Sequence, residues 1–138
     1  MKKMPDYIFV YGLLKSMYDN EAARFIREHC TLIGVGTTPG RLFDLGTYPG
    51  IVYEPNAETI VFGEVFRIDT NKEGLNEYLD RFEECGPEFE QPNEYKKEVI
   101  PVDVNGKVYQ ASSYTYNRNL DGLKKIDSGN YDDITGTR

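Results

Sequence analysis

Five positions between residues 75 and 83 place an acid in an apolar setting. Leu75, Tyr78, Leu79 and Phe82 fall at i, i+3, i+4 and i+7, one face of a helix. Glu83 lies four residues after Leu79, so its Cβ continues the apolar stripe, whereas Glu84 is rotated outward. A carboxylate facing an apolar interior is desolvated. Its charged form is disfavoured, and its pKa rises toward the working range of a general base. The plain alternative for a Glu at a helix end is a side chain that tilts into solvent and bridges a Lys.

A second candidate is a turn. Tyr7 to Tyr11 are five β-favouring residues in a row, too short a run for a helix, and read as a strand buried on both faces. Gly12 then allows the backbone to turn tightly. Backbone N–H groups at such a turn can face a ligand, which makes the stretch Gly12-Leu13-Leu14 a candidate pocket floor. The same residues also describe a core strand followed by an ordinary turn.

The thiols offer less. His29 and Cys30 are adjacent, point to opposite faces of a strand and have no third group beside them, so Cys30 is expected in the core and His29 at the surface. Cys85 follows Glu83 in an acidic stretch, where a raised pKa makes a poor nucleophile.

These residues need elements to position them. Asp19 or Asn20 can cap a short helix through about Glu28, with Ala22, Phe25 and Ile26 as its apolar stripe. A strand over 31–38 is expected to end at the Pro39-Gly40 turn signal, followed by a short strand from Arg41 to Leu45 and a loop from Gly46 to Gly50. Extended chain from Ile51 to Tyr53 precedes a strong strand over 59–68. Thr70-Asn71-Lys72-Glu73 has the pattern of a capping box for the helix that carries Glu83. The acidic segment 84–94 reads as a surface loop, either a lid or a solvated connection. Strands 95–104 and 107–116 flank Asn105-Gly106, a strong hairpin signal, and Pro101 implies a missing or bulged neighbour. Residues 117–138 form a polar tail with Ile126, Tyr131 and Ile134 as candidate anchors.

The chain has 138 residues, which suits a single domain over 1–138 with its tail partly packed. A net charge of −7 lacks the electrostatic footprint for nucleic acid or an anionic membrane. One His and two Cys without ligand spacing predict no metal site. Met1-Lys2-Lys3 before an apolar run faintly resembles a signal peptide, but Pro5, Asp6 and the run's shortness argue against it, and a cytoplasmic location is expected.

Several of these stretches together resemble the γ-glutamylcyclotransferase-like family. Tyr11-Gly12-Leu13-Leu14 is similar to its Tyr-Gly-(Ser/Thr)-Leu motif, and the segment from Gly40-Arg41-Leu42-Phe43 to Tyr48-Pro49-Gly50 to its Gly-Arg-Leu-Tyr…Gly-x-Tyr-Pro-Gly segment. Leu79-Asp80-Arg81-Phe82-Glu83 resembles its Leu-Asp-x-x-Glu helix end, followed by Tyr95-Lys96-Lys97-Glu98-Val99. The hairpin ending in Tyr114 and Tyr116 and the tail Ser128-Gly129-Asn130-Tyr131 also fit.

The resemblance implies an α+β fold, a small mixed β-barrel of five to six strands with two or more short helices. It implies release of 5-oxoproline from a small γ-glutamyl amino acid or γ-glutamylamine, without metal or coenzyme, by a monomer or weak homodimer. Glu83 would be the sole acid/base, and Tyr11, Gly12, Leu13 and Leu14 would hold the glutamyl group. Tyr48, Tyr95, Tyr114 and Tyr116 would line the cavity. Three positions depart from the pattern: Leu13 replaces a small hydroxyl residue, Glu84 stands where Gly is frequent, and Lys97 where Arg is common. Leu13 and Glu84 leave open a protein that keeps the cavity as a non-catalytic binder of small ligands.

Overall fold

The strand β1 (Tyr7–Val10) runs through the centre of the molecule, antiparallel to β4 (Ile60–Ile68) and parallel to β6 (Lys107–Tyr116). The computed structural model describes residues 5–132; Met1-Lys2-Lys3 and Ile134 lie outside them. Alternation along β1 divides the interior in two, because successive side chains of a strand point to opposite faces. Phe9 and Tyr11 enter one cluster with Leu42, Ile51, Val65, Ile100 and Val102. Ile8 and Val10 enter another with Ala22, Ile26, Leu75 and Leu79.

The barrel closes through five strands. β2 (Cys30–Asp44), β4, β1, β6 and β5 (Tyr95–Val104) follow one another around it, and β5 returns to β2 at Thr37 opposite Asp103. β3 (Pro49–Tyr53) and the short β7 (Lys124–Lys125) extend the sheet from the far end of β2. Two helices, α1 (Glu21–His29) and α2 (Lys72–Phe82), cover the outer face of β1. The fold is therefore the α+β barrel expected, with five strands in the closed ring.

The Pro39-Gly40 expectation is corrected. β2 is one strand of fifteen residues that pairs with β4 up to Pro39 and with β3 from Gly40 onward. The dipeptide marks where β2 changes partner. A Cβ at Gly40 would collide with the Val52 carbonyl oxygen, so the close crossing of backbones requires glycine there.

The capping box is corrected too. α2 starts at Lys72 behind Asn71, whose backbone is left-handed and whose side chain caps nothing. The Thr70 hydroxyl instead meets His29 Nδ1 at 2.9 Å, a long-range contact that competes with the local cap. At α1, Asn20 caps as expected, its Oδ1 accepting from the Ala23 amide at 2.8 Å.

Other local expectations match. Asn105 and Gly106 both have positive φ, 51° and 89°, the geometry of a type I′ hairpin turn. Around Pro101, β5 has little ladder pairing on its second side: β2 pairs with it only at Thr37–Asp103 among the described residues, and the Thr38 hydroxyl donates to the Pro101 carbonyl at 2.8 Å. The segment 126–132 is well anchored: Ile126 and Tyr131 are buried, the Ile126 amide donates to the Leu42 carbonyl, and the Phe62 amide donates to the Gly129 carbonyl. Among the described residues no helix is long and apolar enough to cross a membrane.

Candidate active site

Where β1 ends, the start of β3, the start of β5, the last third of β6 and the end of α2 converge around a cavity of about 230 Å³. Its wall includes Tyr11, Gly12, Leu13 and Leu14 from the first turn, Glu83 and Glu84 from the helix end, and Tyr48, Glu94, Tyr95 and Tyr114. Of the residues expected at a site, only Tyr116 is absent from this wall. It stands behind Tyr95, edge-on to that ring with centroids 6.1 Å apart, and its Cβ covers Gly50.

The turn is shaped by a close approach. A Cβ on Gly12 would come within 2.7 Å of the Pro49 ring, so glycine is needed for β1 and β3 to meet at the cavity rim. The turn is held from outside by the Lys15 amide on the Gly12 carbonyl, by Glu64 accepting from the Ser16 amide and hydroxyl at 2.6 and 2.7 Å, and by Asn20 Nδ2 on the Leu13 carbonyl at 2.7 Å. Among the described residues, none accepts a hydrogen bond from the Gly12, Leu13 or Leu14 amide. All three residues line the cavity, so their amides are candidate donors to a ligand anion or oxyanion.

Glu83 ends α2, its amide donating to the Leu79 carbonyl at 2.9 Å. The stripe of Leu75, Leu79 and Glu83 turns inward as the spacing predicts, but Phe82 does not: it is 48% exposed, at the cavity mouth. Burial, and secondarily the nearby Glu94 carboxylate, lift the Glu83 pKa from its ordinary range to about 7. Both protonation states are therefore populated near neutral pH, the condition for a group that takes a proton and returns it.

The tyrosines are walls with fixed hydroxyls. Tyr11 donates to the Tyr114 carbonyl at 2.6 Å, Tyr95 to the Pro49 carbonyl at 2.6 Å, and Tyr114 to Asp80 Oδ1 at 2.6 Å. Burial raises all three pKa values above the ordinary tyrosine range, so these hydroxyls stay protonated and none offers a base near neutral pH. The thiols are equally unsuited. Cys85 is outside the wall and burial raises its pKa, while burial pushes Cys30 up to about 12.

Glu94 was not singled out from sequence. It sits beside Tyr95 at the start of β5, with the Tyr48 hydroxyl donating to its carboxylate at 3.0 and 3.2 Å. Its signal was an acidic residue directly before a cavity tyrosine, in a loop whose acidity looked uniform. That loop is bonded to itself and to the chain after β6: Asn93 Oδ1 accepts from the Gly86 amide, and the Asn117 amide donates to the Glu94 carbonyl. Among the described residues, no group of three His, Cys, Asp or Glu side chains could hold a metal ion.

Comparison with known proteins follows the same outline. Residues 8–133 match the family model described as gamma-glutamyl cyclotransferase, AIG2-like. The gamma-glutamylcyclotransferase family protein YtfP of Escherichia coli (strain K12) is 35% identical over 124 residues, covering 90% of this chain and 94% of that protein. The solution structure of ytfP from Escherichia coli superposes with a TM-score of 0.64 at 30% identity, covering 94% of this chain and 98% of that one. The crystal structure of an AIG2-like protein from Mus musculus superposes with a TM-score of 0.68 at 27% identity, covering 91% and 88%.

Proposed function

The chain belongs to the gamma-glutamyl cyclotransferase, AIG2-like family, and from that membership we propose that it releases 5-oxoproline from a small γ-glutamyl compound with Glu83 as its acid/base. The observation that carries the reading is that the desolvated Glu83 carboxyl group and the turn residues Gly12, Leu13 and Leu14, whose amides have no protein acceptor among the described residues, line one cavity.

The residues suit that chemistry step by step. The substrate's α-ammonium gives a proton to the Glu83 carboxylate, and the freed amine attacks the γ-carbonyl carbon of the same molecule. The carbonyl electrons move onto oxygen, where a turn amide can stabilise the oxyanion. As the carbonyl re-forms, the bond to the departing amine breaks and Glu83 gives its proton to that nitrogen. The ring nitrogen sheds its second proton to the freed carboxylate, becoming the lactam N–H, and the amine carries that proton away as an ammonium. Nucleophile and electrophile belong to one chain of atoms, so the wall's main task is to hold the ring-closing conformer. The fixed rings of Tyr11, Tyr95 and Tyr114 provide a rigid surface for this.

The test is to incubate the protein with a panel of γ-glutamyl amino acids and γ-glutamylamines and to measure 5-oxoproline, free glutamate and released amine together. The reading expects 5-oxoproline and amine in equal amounts. Glutamate in place of 5-oxoproline identifies a hydrolase, and saturable binding with no product identifies a non-catalytic binder, which Leu13 in the turn would favour.

A further inference from the structure

Ring closure by Glu83 leaves one polar pair on the cavity wall without a task. Glu94 and Tyr48 face each other beside a second pair, Tyr95 and Pro49, in which the Tyr95 hydroxyl donates to the Pro49 carbonyl at 2.6 Å. The neighbouring backbone is fixed on both sides, because the Glu94 carbonyl also accepts from the Asn117 amide at 2.7 Å. Tyr48 bonds both oxygens of the Glu94 carboxylate, so that group is held in a defined orientation on the wall. A hydroxyl that donates to both oxygens still leaves the carboxylate acceptor capacity.

The charge on the wall is of one sign. Glu83, Glu84 and Glu94 line the cavity, and among the described residues no Lys, Arg or His does. A ligand's anionic group is therefore left to the turn amides, and its cationic group is drawn to the carboxylates. Glu84 is exposed, and Glu83 is already the proton acceptor of the proposed reaction. We propose that Glu94 is the ammonium-binding residue of this site: it receives the α-ammonium of the glutamyl group in a charge-assisted hydrogen bond and presents that nitrogen to Glu83. The assignment rests on the cyclotransferase reading for its substrate. It also gives the site a way to tell substrate from product, since ring closure turns the ammonium into a neutral lactam N–H that Glu94 holds less strongly.

Two probes test it, γ-glutamylmethylamide and its counterpart lacking the amino group, N-methylglutaramic acid. Both are titrated by calorimetry into Glu83→Gln, which prevents turnover, and into Glu83→Gln/Glu94→Gln. The amide at position 94 still accepts from Tyr48, and thermal melts verify folding. The ammonium-bearing probe is expected to bind Glu83→Gln about tenfold more tightly than the desamino probe. Adding Glu94→Gln is expected to erase that preference while leaving the desamino affinity unchanged. A preference that survives Glu94→Gln, the lack of any preference, or failure of both probes to bind overturns the assignment. A separate kinetic arm isolates the underlying reading: if the preference depends on Glu94 but the wild-type chain forms no 5-oxoproline from any γ-glutamyl compound, the cyclotransferase reading fails and the ammonium site stands.

Discussion

The Tyr114 hydroxyl donates to Asp80 Oδ1 at 2.6 Å, and through that bond β6 grips the last turn of the helix that ends in Glu83. Lys97 Nζ lies 2.8 Å from the same oxygen, 2.9 Å from Asn76 Oδ1 and 5.6 Å from the centroid of the Tyr114 ring. A compact ammonium serves these three partners from one point; with a single Asp80 oxygen shared, the bidentate geometry of an arginine has no use here. The network anchors the last turn of α2, three residues before Glu83.

Removing the hydroxyl alone tests that role. Tyr114→Phe keeps the ring and the Lys97–Asp80 pair, and is expected to lower stability by about 1–2 kcal/mol in urea denaturation. It is also expected to reduce catalytic efficiency about tenfold by letting the helix end shift. Unchanged kinetics with lowered stability would confine the bond to a structural role.

Glu84 occupies a left-handed backbone position, φ 51°, directly after the Glu83 cap. Its amide donates to the Arg81 carbonyl, so the helix ends as though a glycine stood there. Glu84→Gly is expected to stabilise the chain by about 0.5–1 kcal/mol, read as a higher melting temperature. A lower melting temperature would show that the carboxylate contributes more than the backbone strain costs.

Burial of Glu83 also makes stability depend on pH. The folded-state pKa is about 7, against about 4.3 in an unfolded chain. Between those values the folded chain keeps a proton that the unfolded chain has released, so stability falls as pH rises through the interval, by up to about 4 kcal/mol. Glu83→Gln mimics the neutral form. Thermal melts are expected to show the variant more stable than wild type above pH 7 and matched to it below pH 4. A constant difference across that range would contradict the raised pKa.

The C-terminal segment touches both sides of the turn region. Lys15, whose side chain is 5% exposed, pairs with Asp132 at 2.6 Å, and the Tyr131 hydroxyl donates to the Thr47 carbonyl just before Tyr48. Asp132→Ala leaves the buried ammonium without its carboxylate and is expected to cost about 2–4 kcal/mol. Replacing Lys15 by Met in the same chain is expected to recover part of that loss, measured by denaturation of the single and double variants.

Much of the fold was legible because its signals are local. The run from Tyr7 to Tyr11, the Asn105-Gly106 turn and the alternation of Ile100, Val102 and Val104 each depend on a few neighbouring residues, and the structure follows them. Glu83 was legible for the same reason, being one helical repeat beyond Leu79. What was not legible depends on distant partners. Pro39-Gly40 reads as a turn until β3 and β4 are seen to claim opposite ends of one strand, and Thr70 reads as a cap until His29 takes its hydroxyl. Phe82 fits the apolar stripe by spacing, yet the helix meets the cavity there instead of the core. Glu94 stayed hidden among acidic neighbours because only its pairing with Tyr48, forty-six residues earlier, sets it apart.

The ring-closing role of Glu83 is tested most directly by a pH–rate profile of cyclisation between pH 5 and 9, comparing wild type with Glu83→Gln and following the 5-oxoproline formed. The wild-type catalytic efficiency should climb through an apparent pKa of about 7 as the carboxylate forms, and the variant should lack that climb, lower by about a thousandfold on the plateau above pH 7 and by less as pH falls. Equal rates for the two proteins, or a wild-type profile that is flat through neutral pH, would contradict it.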